Sequence, residues 1–238
     1  MNVVCLFGFW NILQYNMNEY KKKVTIEMYK MKNNKTDNIG EHFVNLGLPS
    51  GLKWAKTNLG AETETDFGNY YMWGSTEPNT AEECNWANAP FNDGSDTFEK
   101  KYFNAYKPKW LDDKDNLKPE YDAAYKATDG AARMPTQDDI QELIDNTFHV
   151  WVENFNNSNV NGMKFISKTD ESKYIFIPAA GNYDDGSVEG VGKYCLVWSS
   201  SLYTLSTHNA WTLGLIVVIC RMYDGYRYFG RSIRPVID

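Results

Sequence analysis

The chain has 238 residues, 42% of them hydrophobic and 15% aromatic, and a formal net charge of −7 at pH 7. That length holds one medium domain with a full core, or such a domain with an extension, and the apolar and aromatic content excludes a mostly disordered chain. The acidic balance argues against nucleic acid as a partner, because neutralising phosphates needs a basic face.

The stretch VVCLFGFWNIL near the start is an apolar run of about secretory-core length. It lacks the basic start and small-residue cleavage site of a signal peptide, and it is too short to span a bilayer. Residues 1–40 are therefore read as an extension, with Met17 as an alternative start, and residues 41–238 as a single domain. From Phe43 onward, FVNLGLPSGLKWAKTNLG alternates short apolar stretches with Gly and Pro, which predicts short strands and tight turns. Residues 76–116 show no sustained period and read as long loops pinned by isolated aromatics such as Trp86, Phe91 and Trp110. The run RMPTQDDIQELIDN predicts one clear amphipathic helix: Thr136 is its N-cap, Asp139 completes a capping box, and Ile140, Leu143 and Ile144 form its apolar stripe. The segments GMKFISK, YIFIPAAG, YCLVWSSSLY and AWTLGLIVVICRM then predict strands, making the fold α+β with short mixed strands.

Four cysteines, Cys5, Cys84, Cys195 and Cys220, show no CxxC or Cys/His spacing, so neither a zinc site nor a dense disulfide framework is signalled, although a single Cys195 to Cys220 bridge stays open. His42, His149 and His208 are scattered, and no metal or other cofactor is expected. The Asp-rich stretch at residues 112–116 reads as a solvated loop before it reads as a calcium site.

The last stretch, residues 194–238, is biased. It holds four of the five arginines and no Lys, Glu or Gln, although the chain's 36 Lys, Glu and Gln residues, spread evenly, would place about seven there. A β-rich core segment also excludes long polar side chains. Four arginines with Asp224, however, are not what a buried strand accommodates unpaired, so the bias reads as selection for recognition.

Three groups of phrases occur in order: VNLGLPSGLKWAKTNLGA with FGNYYMWG, then PEYDAAYKATDGAARMPTQDDIQELID, then IFIPAAG, VWSSSLY and GRSIRPV. Together they resemble the large Bacteroidetes family of paralogous C-type-lectin-like domains, related in fold to formylglycine-generating enzymes. The resemblance implies a C-type-lectin-like fold from about residue 43 to the end. Within that family, residues 194–236 look like the variable region of proteins diversified by retroelements, in which adenines of a template repeat are mutated. The resemblance implies a fixed frame that includes Trp198, Trp211, Arg227, Gly230, Ser232 and Arg234. Thr212, Gly214, Ile216, Arg221, Tyr223, Asp224, Tyr226, Tyr228 and Phe229 become the candidate ligand-binding residues. Each is reachable from an asparagine codon by changing its two adenines, whereas Lys, Glu, Gln, Met and Trp are not.

Tyrosines, a phenylalanine and an arginine suit recognition, being rigid amphipathic rings and a guanidinium that forks or stacks. The side chains of Arg221, Tyr223, Asp224, Tyr226, Tyr228 and Phe229 are expected on one solvent-facing surface that stability does not need. Trp198 and Trp211 are expected in the core, and Arg227 and Arg234 holding loops through backbone carbonyls. The implied function is non-catalytic binding of a protein or surface ligand, on a phage particle or the cell surface, with an undiversified adhesin or lipoprotein of the same family as the alternative. A formylglycine-type oxidase needs a closely spaced cysteine pair that the sequence lacks. The lectin-like Glu77-Pro78-Asn79 has no Trp-Asn-Asp partner, and Ser199, Ser200 and Ser201 with His208 lack the GxSxG elbow of a hydrolase.

Overall fold

The computed structural model describes residues 39–93, 95 and 100–238. The chain divides into two compact units, Met1–Glu41 and His42–Asp238. The extension read at residues 1–40, Cys5 included, lies almost wholly outside the described residues.

The second unit is α+β, built mostly of short strands. β1 (Phe43–Asn45) and β2 (Lys53–Ala55) pair with β11 (Val236–Ile237), so the first and last strands share one sheet. A second sheet joins β3 (Thr147–Val152), β4 (Gly162–Ser167) and β5 (Tyr174–Pro178), and a third joins β8 (Cys195–Leu202), β9 (Asn209–Ile216) and β10 (Ile219–Tyr226). β6 (Asn182–Asp184) and β7 (Ser187–Glu189) form a small hairpin. All of these pairings are antiparallel.

Three helices occur among the described residues: α1 (Lys100–Trp110), α2 (Ala123–Ala127) and α3 (Gln137–Asn146). In α3 the Thr136 hydroxyl accepts from the Asp139 N–H at 3.2 Å, and the Asp139 carboxylate accepts from the Thr136 N–H at 2.7 Å. This is the capping box expected from sequence. Ile140 and Leu143 are buried, and Ile144 packs half-buried against the same core. Helix α1 is not expected from sequence. Residues 100–110 carry several lysines, Asn104 and Pro108, and only Phe103 and Trp110 among its described side chains are buried, so the apolar stripe is too sparse to register as periodic.

Of the aromatic pins, Trp86 and Phe91 lie in loops as read, whereas Trp110 ends helix α1. Phe91 stacks on Trp110 at 4.5 Å and meets Trp73 and Tyr121 edge-on at 5.9 and 5.2 Å. The buried core has two main parts. One joins Leu46, Trp54, Ile140, Phe165, Ile177, Val197 and Leu213, and the other joins Trp73, Phe103, Leu117, Met134, Trp198 and Ile233.

Two further expectations are corrected. AWTLGLIVVICRM is not one strand but a hairpin, in which Ile216 pairs with Ile219 across Val217 and Val218. Those valines are 60% and 84% exposed, so the most apolar run in the segment marks a turn. Neither takes a left-handed φ, which separates this turn from the type I′ and II′ pattern of most two-residue hairpins. The open Cys195 to Cys220 bridge is also excluded. Both residues flank Leu215, one on each neighbouring strand, which separates them by two strand spacings, roughly 9–10 Å, beyond disulfide reach. Cys84, Cys195 and Cys220 are free thiols, and burial pushes Cys84 and Cys220 up to about 12.

Candidate ligand-binding surface

The C-terminal segment is anchored by buried arginines. Arg234 is fully buried and donates to Asn58 Oδ1 at 3.0 Å, Ala55 O at 3.0 Å and Phe176 O at 2.7 Å. Arg227, also fully buried, donates to Thr207 O at 2.9 Å and Pro90 O at 3.0 Å. Arg227 therefore holds loops through backbone carbonyls, as expected, whereas the carbonyls bound by Arg234 belong to β2 and β5 and its loop contact is the Asn58 side chain. A third arginine, Arg231, is 5% exposed. Arg227 and Arg234 are thus buried with hydrogen bonds to oxygens of the backbone and of Asn58. Burial pushes all three guanidiniums down to about 9, which leaves them charged at neutral pH.

On this frame the hairpin of β9 and β10 alternates. Leu213 and Leu215, with Met222 and Cys220 opposite them, face the core. Thr212 and Gly214 lie on the other face, opposite Tyr223 and Arg221. The Tyr223 ring lies over Gly214, where a Cβ would collide with it, and the Arg221 guanidinium stacks on Tyr223 at 4.2 Å. Thr212 has no exposed surface, and its hydroxyl donates to Val197 O at 2.8 Å. Thr212 and Gly214, expected as contact residues, are therefore the floor beneath Tyr223 and do not form an outer surface.

A cavity of about 340 Å³ opens here. Thr212, Gly214, Ile216, Tyr223, Asp224 and Phe229 all line it, six of the nine residues chosen from sequence. Arg221 adjoins it through Tyr223. The remaining two, Tyr226 and Tyr228, form an aromatic patch that meets the cavity at Phe229. Tyr226 lies 5.7 Å from Tyr228 and 5.5 Å from Phe229, and Tyr228 lies 4.8 Å from Phe229. Arg221, Asp224 and Tyr226 are exposed, while Tyr223, Tyr228 and Phe229 are half-buried.

Several participants are not among the residues chosen from sequence. Trp86 packs against Tyr228 at 4.9 Å and completes the patch; its isolation in an Asn-rich loop is the available signal. Asn182, Asp184, Glu189 and Tyr194 bring the β6–β7 hairpin and the approach to β8 into the cavity wall. The Tyr228 hydroxyl donates to Asp184 Oδ1 at 3.1 Å. Arg231 also lines the cavity. Its guanidinium lies 4.4 Å from the Trp198 ring and 5.1 Å from Phe229, over Gly225, where a Cβ would strike it.

Trp198 is fully buried, its indole N–H donating to Tyr71 O at 2.9 Å. Trp211, expected in the core, is only half-buried, edge-on to Tyr203 at 4.8 Å. It borders a second, polar cavity of about 520 Å³ with Arg133, Ser200 and Ser201. Ser199 and Ser201 spend their hydroxyls on Trp211 O and Asn116 Oδ1 at 2.9 and 2.6 Å. Asn79 clamps its own loop, its Oδ1 accepting from the Met72 N–H at 2.9 Å. Among the described residues no cluster of three His, Cys, Asp or Glu side chains could hold a metal ion, and no helix is long and apolar enough to cross a membrane.

No family model matches the chain, and no curated protein or solved structure matches it.

Proposed function

We propose that this is a non-catalytic ligand-binding protein of C-type-lectin-like fold, whose residues 194–236 form a retroelement-diversified recognition surface displayed on a phage particle or a bacterial cell. The observation that carries this reading is the division of labour within one segment. The nine candidate residues line or adjoin one cavity and its aromatic patch, while the frame residues Arg227, Arg234 and Trp198 are buried and bind backbone carbonyls. Exposed side chains such as Arg221 and Tyr226 can then vary without disturbing the hydrogen bonds of the frame, whereas Thr212 and Gly214 are held by the buried bond to Val197 and by the Tyr223 ring. The aromatic patch with Arg221 also has the composition of binding hot spots.

The neighbouring DNA provides the test. A near-copy of the coding segment for residues 194–236 is expected there, differing almost only where the copy carries adenine. Differences spread over all four template bases would instead leave an undiversified surface adhesin of the same family.

A further inference from the structure

We propose that the cavity beside Tyr223 is a receptor site for a small zwitterion of the amino-acid type, its carboxylate held by Arg231 and its ammonium by Asp184 and Glu189. This rests on the ligand-binding reading of the same surface and names the chemistry of what it takes.

The starting point is a contrast between arginines of one segment. Arg234 gives each of its nitrogens an acceptor, and Arg227 reaches two carbonyls. Arg231, equally removed from water, has no hydrogen-bond partner for Nε or Nη1 and forms no ion pair among the described residues. Trp198 and Phe229 stack with its guanidinium, so the planar edge is what remains for a ligand, and that edge matches a carboxylate. A buried cation left without acceptors costs more than any stacking returns, and here it lines a cavity rather than packed core.

The wall decides what else the ligand must carry. One guanidinium shares the cavity with two acids of the β6–β7 hairpin, Asp184 and Glu189, so a bare anion would be repelled at the mouth. A ligand with an ammonium beside its carboxylate matches both signs. Asp184 already accepts from the Tyr228 hydroxyl, but an ionised carboxylate has about four lone-pair sites and keeps room for more donors. Tyr223 and Phe229 supply apolar walls for a side chain. The volume of about 340 Å³ is at the small end for ligand sites, suiting one amino acid rather than an oligomer.

The test uses the full chain and three probes read by calorimetry and by tryptophan fluorescence: L-phenylalanine, 3-phenylpropionate without the ammonium, and 2-phenylethylamine without the carboxylate. L-phenylalanine is expected to bind, with each analogue weaker by about tenfold or more. Asp184→Asn with Glu189→Gln, both at non-buried positions, should weaken L-phenylalanine by about tenfold and leave 3-phenylpropionate unchanged or tighter. Arg231→Lys should weaken both. Should that variant fail to fold, the acid pair and the probe series still decide the matter. No binding of L-phenylalanine at about 10 mM, or equal binding of all three probes, overturns the proposal. Such a failure alongside adenine-confined differences in a neighbouring DNA copy would leave the recognition reading intact; binding without such a copy would separate the two in the other direction.

Discussion

Arg234 is satisfied without any acid, because its fork reaches one side-chain amide oxygen and two backbone carbonyls drawn from β2, the loop after it and β5. Arg234→Met would leave those three acceptors buried and unpaired, at about 1–3 kcal/mol each. Urea unfolding should therefore show a loss of about 3 kcal/mol or more, and Arg234→Lys should recover only part of it, since an ammonium cannot reproduce the fork. The tyrosines above behave differently from one another. Tyr226 is 46% exposed, so Tyr226→Ala should change stability by about 0.5 kcal/mol or less. Sequence alone makes Tyr223 equally dispensable, but its ring shields Gly214 and supports Arg221. Tyr223→Ala should cost about 1–2 kcal/mol in the same unfolding experiment, since a strand glycine losing its aromatic cover exposes backbone to water. Equal stabilities of the two variants would remove Tyr223 from the floor-and-cover arrangement.

The elements differ in how plainly the sequence announces them. Helix α3 is legible because its signal is local: the capping box needs only Thr136 and Asp139, and its stripe only Ile140, Leu143 and Ile144. Asp139 also binds Arg133 at 2.7 Å, a contact no local pattern contains. Thr136→Ala should thus cost about 1 kcal/mol, and Asp139→Asn more than Thr136→Ala, because it removes the ion pair along with half of the box; thermal unfolding of the two variants side by side checks the order. Helix α1 is illegible because its two buried aromatics, Phe103 and Trp110, answer to Trp73 and Phe91, outside the helix. The β9–β10 turn is illegible for the opposite reason. Ile216, Val217, Val218 and Ile219 have strong strand propensity, and no Gly or Asn announces the reversal that the pairing of Trp211 with Asp224 and Thr212 with Tyr223 enforces.

Across the whole molecule, most of the candidate site comes from one continuous segment and is readable in its composition, whereas the acids opposite it, Asp184 and Glu189, arrive from the β6–β7 hairpin and can be assigned only once the sheets are assembled. Arg231 escapes a sequence reading because an arginine in an exposed-looking segment carries no local mark of burial. The same segment then closes the fold. Trp198 N donates to Ser232 O at 3.0 Å, Leu59 N to Ile233 O at 2.8 Å and Ala55 N to Pro235 O at 2.9 Å, while Val236 exchanges backbone bonds with Arg133 at 2.9 and 3.0 Å. Ile233 and Val236 fill the two cores, and β11 pairs with β2 near the start of the domain. The residues after Ser232 therefore join elements from both ends of the unit. Ending the chain after Ser232 would remove two core side chains, the three bonds of Arg234 and the β2–β11 pairing together, a loss on the order of the 5–15 kcal/mol that holds a whole domain. The expected outcome is loss of the cooperative unfolding transition and of the near-ultraviolet circular dichroism of the buried tryptophans. Replacing the exposed tip residues Val217 and Val218 with Asn and Gly should leave both signals in place, and a truncated chain that still unfolded cooperatively would show that the frame closes without its last strand.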